Sequence, residues 1–224
     1  MALRIQTCPD PEAVAERAAE LVAEQAGAAI ADHGRFTFAV SGGHTPWAMF
    51  AKLAGKEMSW QQVTIFQVDE RVAPDGDPDR NLTHLCESLP AGAAADVRPM
   101  PVTADDLERA AAEYARSLPS TFDLIHLGLG PDGHTASLVP GDPVLEVMDR
   151  DVALTGIYQG RRRMTLTYPV LERAPNLLWL ITGQDKVDAL RRLQAGDRSI
   201  PAGRISAAHA VVIADEAATG HAVR

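Results

Sequence analysis

The sequence predicts an α/β protein in three α/β/α layers, a mainly parallel sheet with helices on both faces. Three observations carry this. Short segments such as FTFAVS (36–41), VTIFQV (63–68) and NLLWLIT (176–182) are apolar at successive positions, as strands buried on both faces are. Between the strands lie stretches whose apolar residues recur at helical spacing. Several strands also run directly into a glycine-rich or charged turn, where a strand hands over to a helix.

Taken in order, Asp10-Pro11 is a helix start, and Val14, Ala18, Leu21, Val22 and Ala29 follow on one face until Gly34 ends the helix. FTFAVS then enters GGHTP and a helical stretch from Pro46 to Leu53. VTIFQV ends in Asp69-Glu70-Arg71, and PDGDPDRN (74–81) reads as a loop. Thr103 is placed to cap a helix carrying Leu107, Ala110, Ala111, Tyr114 and Leu118. FDLIHLGL (122–129) is a third strand and MTLTY (164–168) a fourth. NLLWLIT is a fifth, followed by Gly183 and a helix from Asp185 through Leu193. AVVIAD (210–215) is a sixth, with a short helix beyond. No repeat, low-complexity tract or linker divides the 224 residues, so one domain over 1–224 is expected.

Bulk properties exclude several classes. With 46% apolar residues the chain can bury a core without disulfides. Its cysteines, Cys8 and Cys86, form neither a disulfide framework nor a zinc pattern, which fits a reducing cytoplasm. A formal charge of −9 argues against a broad nucleic-acid surface, so an anionic ligand would need a local positive pocket. No apolar run approaches the roughly 20 residues of a membrane span, and the N-terminal segment turns acidic and helical, unlike a signal peptide. A cytoplasmic protein acting without a membrane or nucleic-acid partner is expected, as a monomer or small homo-oligomer.

In an open parallel sheet, ligands bind beyond the carboxyl ends of the strands. SGGHTP (41–46), DER (69–71), GPDGHT (130–135) and TGQDK (182–186) each follow a strand, so all four are expected on one rim. In SGGHTP the glycines allow close backbone approach, and a helix N-terminus offers free N–H groups to a phosphate. Ser41 and Thr45 could add hydroxyls. Alone, the segment suits an ordinary strand-to-helix turn equally well. Lys186 stands at a helix start, where the dipole disfavours a cation unless an anion compensates, though a solvated lysine fits as well. Of three consecutive arginines, Arg163 leads into a strand and is the candidate to face an anion, with Arg161 and Arg162 turned to solvent. Asp69 and Arg71 would be surface charges in isolation. On this rim, Asp69 can orient a hydroxyl or a catalytic partner, and Arg71 can meet negative charge.

Asp132-Gly133-His134 carries the strongest signal. An imidazole near neutrality can take and return a proton, and a nearby carboxylate can fix its tautomer. Two ligands make no metal site, and spacing supplies no third. His126, mid-strand among apolar neighbours, reads as a hydrogen-bonded core histidine.

GLGPDGHTASLVPG (128–141) resembles the signature of 6-phosphogluconolactonases, which usually carry phenylalanine where Val139 stands. SGGHTP, VDERVAPDGDPDRN (68–81), RRMTLTYPVL (162–171), ITGQDKVDAL (181–190) and IPAGRI (200–205) resemble the family's other blocks in the same order. Gln67 stands where the family often has tryptophan. The resemblance implies a Rossmann-like fold and hydrolysis of a sugar-phosphate lactone, 6-phospho-D-glucono-1,5-lactone, to 6-phosphogluconate in the oxidative pentose phosphate pathway, with no cofactor. It places catalysis on His134, Asp132, Asp69 and Arg71, and phosphate binding on Ser41, Gly42, Gly43, Thr45, Arg163 and Lys186. His134 would be base toward water and acid toward the ring oxygen, with Arg71 at the oxyanion. Two rivals share the fold. Amino-sugar-phosphate deaminases resemble GHIAFNEP, with a carboxylate soon after the histidine, where this chain has GHTASLVP. A non-catalytic sugar-phosphate-binding domain has no use for an Asp-Gly-His turn.

Overall fold

The structure, a computed structural model, describes residues 3–89, 94–206 and 209–220. Seven strands form one parallel sheet: β1 (Arg4–Cys8), β2 (Phe36–Val40), β3 (Val63–Gln67), β5 (Asp96–Arg98), β6 (Leu124–Gly128), β9 (Leu177–Ile181) and β10 (Ala210–Asp215). Their order is β1-β10-β9-β6-β2-β3-β5, with every neighbouring pair parallel. Alternation along the strands divides the core between the two faces. Phe36, Phe38 and Val40 point into one apolar cluster with Val14, Ala18 and Val22 of α1 (Pro11–His33) and Met49 and Phe50 of α2 (His44–Leu53). Ala39, Ile125, Leu127 and Trp179 point into the other, with residues of α4 (Leu107–Ser117), α5 (Tyr168–Arg173) and α6 (Val187–Gln194). This is the expected three-layer arrangement.

The long helix begins as its sequence predicts. Asp10 accepts the Ala13 N–H at 2.8 Å, Pro11 opens the first turn, and Gly34 ends the helix at φ +82°, its N–H bonded to Ile30 O. Elsewhere the structure differs. The segment before Asp10, expected to be helical, starts with β1, an edge strand too short and too exposed to show an apolar run. Thr103 does not cap α4. Asp106 does, accepting the Arg109 N–H at 3.0 Å. The PDGDPDRN loop leads into an additional helix, α3 (Asn81–Ser88). The helix expected from Asp185 opens with a 3-10 turn, Gln184–Lys186, and continues as α6. A short helix, α7 (Glu216–Thr219), follows β10 as expected.

The largest departure is a second, antiparallel sheet. β4 (Asp69–Arg71), β8 (Arg163–Leu166) and β7 (Val152–Leu154) pair in the order β4-β8-β7. The expected fourth strand therefore exists, but lies outside the main sheet, and Tyr168 already belongs to α5. Among the described residues no helix is long and apolar enough to cross a membrane. Neither thiol is in a disulfide.

Candidate active site

Strands β9, β6 and β2 are neighbours running the same way, so the turns that follow them lie side by side at their carboxyl ends. They open onto a cavity of about 510 Å³. Ser41, Gly42 and Gly43 reach it from β2, His134 from the turn after β6, and Lys186 from the turn after β9. Asp69, Arg71 and Arg163 reach it from the small sheet. The turns expected on one rim are therefore together.

The turn after β6 is built to hold one imidazole. Gly130 N–H bonds His134 O at 2.8 Å, and Gly133 N–H bonds Gly130 O at 2.9 Å. Any side chain at 130 would collide with the ring, since a Cβ there would lie 2.0 Å from His134 Nδ1. Asp132 Oδ1 accepts both the His134 backbone N–H, at 3.1 Å, and a hydrogen bond from the ring Nδ1 at 2.6 Å. Burial pushes the Asp132 carboxyl up, but the His134 hydrogen bonds outweigh it and hold the pKa below its ordinary value. Asp132 is thus the direct partner of His134. Asp69 Oδ2 is held elsewhere, accepting from Ser137 Oγ at 2.5 Å.

The small sheet concentrates positive charge. Arg71 and Arg163 are directly opposed cross-strand partners, as are Asp69 and Thr165 two residues away on the same face. Like charges in that register repel, and an anion between or above them would relieve the repulsion. Arg163 is 4% exposed, its Nε has no hydrogen-bond partner, and burial lowers its pKa while Asp69 partly restores it. Ser41 Oγ is likewise buried and unpartnered. Buried donors without partners are costly, and these two belong to a cavity that a polar ligand would fill. In a chain of net charge −9, the cavity is lined by Arg71, Arg163 and Lys186 against Asp69. Two non-glycine residues at φ +51°, Ala136 and Gln159, also line it, and such strain gathers at functional sites.

Some expectations change. Thr45 does not line the cavity. Its hydroxyl shares a 2.9 Å hydrogen bond with Thr182, tying the turn after β2 to the turn after β9. Lys186 faces the cavity, but its Nζ is paired with Asp185 at 2.9 Å. Arg161 is held by Asp77 and Asp79, each at 3.0 Å, and lines an adjoining cavity of about 360 Å³ together with Arg71 and Arg163, whereas Arg162 donates to Thr155 O and lines neither cavity. His126 is a core histidine as expected: Nδ1 accepts the Ser41 N–H at 3.3 Å, and complete burial lowers its pKa to about 3.

Further residues shape the site without standing out for it in the sequence. Asn81 accepts from Arg71 Nη1 at 2.5 Å and donates to Asp69 O at 2.9 Å, while its side chain occupies the space a Cβ on Gly42 would need. Glu70, fully buried, accepts the Asn81 and Leu82 N–H groups at 2.8 Å each, fixing the start of α3 and with it Asn81. Gln67 steadies that carboxylate with a 2.8 Å hydrogen bond from Nε2. Gln159 bonds Arg163 Nη2 at 3.1 Å, and its neighbour Tyr158 reaches Asp132. Among the described residues, no three His, Cys, Asp or Glu side chains cluster as a metal site.

Comparison with known proteins gives the family and the fold. The family model described as glucosamine-6-phosphate isomerases/6-phosphogluconolactonase matches residues 9–214. A 6-phosphogluconolactonase of Synechocystis sp. is 36% identical over 211 residues, covering 87% of this chain and 86% of that protein. One of Rhizobium meliloti is 34% identical, covering 89% and 91%. The crystal structure of a 6-phosphogluconolactonase from Shewanella baltica superposes with a TM-score of 0.87 at 25% identity, covering 95% of this chain and 97% of that one.

Proposed function

The chain belongs to the glucosamine-6-phosphate isomerase/6-phosphogluconolactonase family, and on that premise we propose that it hydrolyses 6-phospho-D-glucono-1,5-lactone to 6-phosphogluconate. The observation that carries this is the convergence of an Asp132-anchored imidazole and an opposed arginine pair on one cavity.

With Nδ1–H donated to Asp132, the Nε2 lone pair of His134 is the base. Nε2 takes a proton from water as the water oxygen bonds to C1, and the carbonyl electrons move onto oxygen. When that oxyanion collapses, the C1–O5 bond breaks and the imidazolium returns the proton to O5. The products are the open hydroxyl and a carboxylic acid that ionises in water. Proton transfer from a positioned group contributes on the order of 10²–10⁴-fold.

Arg163 and Arg71 are assigned to the phosphate, with the Gly42 and Gly43 backbone, Ser41 and Lys186. Arg71, expected at the oxyanion, joins the clamp because its cross-strand register sets it against Arg163 and Asn81 holds it there. The same three cations make the cavity's field positive, which favours an oxyanion forming within it. Clamping the phosphate also fixes where C1 sits relative to Nε2. Asp69 is left to accept from a sugar hydroxyl.

A coupled assay of lactone opening, with spontaneous hydrolysis subtracted, tests this on the wild type and His134→Ala. The wild type should turn over and the variant should not. Ammonia release from glucosamine 6-phosphate without lactone opening would instead make the protein a deaminase.

A further inference from the structure

The arm joining β7 to β8 folds back at Tyr158–Arg161, where Tyr158 N–H bonds Arg161 O at 3.0 Å and Arg161 N–H bonds Tyr158 O at 3.2 Å. Both central residues have positive φ, Gln159 at +51° and Gly160 at +78°, the pattern of a type I′ hairpin turn. Asparagine or glycine is usual at the first of these positions, so glutamine there is held against its preference. Its side chain has a partner that explains it, Arg163 at 3.1 Å.

Tyr158, one residue earlier, touches both halves of the site. Its hydroxyl donates to Asp132 Oδ2 at 3.4 Å, leaving Oδ1 to His134. Its ring lies edge-on to the His134 imidazole, centroids 5.5 Å apart at 64°. The Arg163 guanidinium carbon stands 5.0 Å from the ring centroid. The charged and titratable groups facing Tyr158 are thus Asp132 and His134 from the turn after β6, and Arg163 from β8.

We propose that Tyr158 is a positioning residue that couples phosphate capture by Arg163 to the alignment of the Asp132–His134 pair. It touches neither the lactone carbonyl nor the phosphate. The hydroxyl holds the second oxygen of Asp132, so that the first faces Nδ1. The ring supports Arg163 in the pose that meets the anion. An anion drawing Arg163 inward carries the ring, and with it the hydroxyl, toward Asp132. The proposal rests on the lactonase reading for its catalytic half, whereas the support of Arg163 can be measured by binding alone.

Two variants separate the parts. Tyr158→Phe keeps the ring and deletes the hydroxyl. Its kcat should fall about 3–10-fold, the scale of one ordinary hydrogen bond, with KM within about twofold of wild type. Asp132, relieved of one donor, would then concentrate its charge on the imidazolium, so the acid limb of the rate profile should move to higher pH. Tyr158→Leu removes the ring as well. Its KM should rise, and inorganic phosphate, titrated by calorimetry, should bind it more weakly than it binds wild type or Tyr158→Phe. Wild-type kcat with an unmoved acid limb in Tyr158→Phe overturns the alignment role, and equal phosphate affinity in all three proteins overturns the support of Arg163. Circular dichroism and melting temperature confirm that the variants compared are folded. If wild type fails to open the lactone, the lactonase reading falls and the phosphate titration still decides the part concerning Arg163.

Discussion

The two sheets contribute to the site in different ways. The inner strands of the parallel sheet are largely apolar and buried, its edge strands β1 and β5 are polar and partly exposed, and its chemistry lies beyond the strand ends, in backbone turns that present Ser41 to Gly43, His134 and Lys186. The three-stranded antiparallel sheet carries chemistry within its strands: Asp69, Arg71 and Arg163 are all ladder residues. The turn after β6 aims one imidazole sharply, because its own hydrogen bonds and Asp132 fix it. A ladder sets two side chains at a fixed separation, which suits a pair of cations closing on one anion. On the proposed reading, proton transfer comes from a turn of the large sheet, and the anion is held by the small sheet's arginines together with the Ser41–Gly43 turn and Lys186 of the large one.

Substitutions on each side should therefore separate kcat from KM. His134→Ala should lower kcat by on the order of 10²–10⁴-fold while affinity for inorganic phosphate stays near wild type, as steady-state kinetics and calorimetry would read. Loss of phosphate affinity in that variant would merge the two roles. Arg163→Ala should raise KM by about 10–100-fold, the worth of hydrogen bonds to a charged group, with a smaller change in kcat. Arg71→Ala should act in the same direction. A loss confined to kcat would return Arg71 to the oxyanion.

Gly42→Ala tests how the two sheets meet, because its Cβ would fall 1.8 Å from Asn81 Oδ1. Displacing Asn81 releases Arg71, and a KM increase of about tenfold is expected from that misplacement. An unchanged KM would mean that Asn81 is not what holds Arg71.

An effect on stability rather than turnover concerns the large sheet alone. His126, buried at the root of the turn after β2, has a folded pKa of about 3 against an ordinary 6.5. Above pH 6.5 both folded and unfolded chains hold it neutral, and its contribution to stability is complete. Below that, the unfolded chain takes up a proton that the folded chain refuses, so stability falls progressively toward pH 3. Between pH 7 and 5 the wild type should lose about 2 kcal/mol more than His126→Gln in denaturant titrations. An equal loss would show that His126 is not what responds.

The same contrast decides what could be read from sequence. The inner parallel strands announce themselves because burial on both faces demands uninterrupted apolar residues, as in FTFAV and LLWLI, whereas the partly exposed edge strands β1 (RIQTC) and β5 (DVR) carry no such run. The Asp-Gly-His turn was visible for the converse reason, a polar triplet interrupting apolar runs. β4 was not, since three charged residues carry no strand period, and their pairing with β8 joins residues 69 and 163, far apart in the chain. Arg71 and Arg163 were each noticed singly, but not that they oppose one another. Asn81 looked like the end of a loop, because its role depends on Glu70 starting α3 beneath it. The Thr45–Thr182 hydrogen bond is not legible in the sequence, as nothing near residue 45 reveals that Thr182 lies within reach.

The direct measurement is a crystal of the protein soaked with 6-phosphogluconate. The phosphate should lie against Arg71 and Arg163 with its oxygens toward the Gly42–Gly43 backbone, and the C1 carboxylate should come within hydrogen-bonding reach of His134 Nε2. A sugar phosphate bound the other way round, with phosphate on His134 and C1 at the arginines, or bound outside this cavity, would contradict the division of labour between the two sheets.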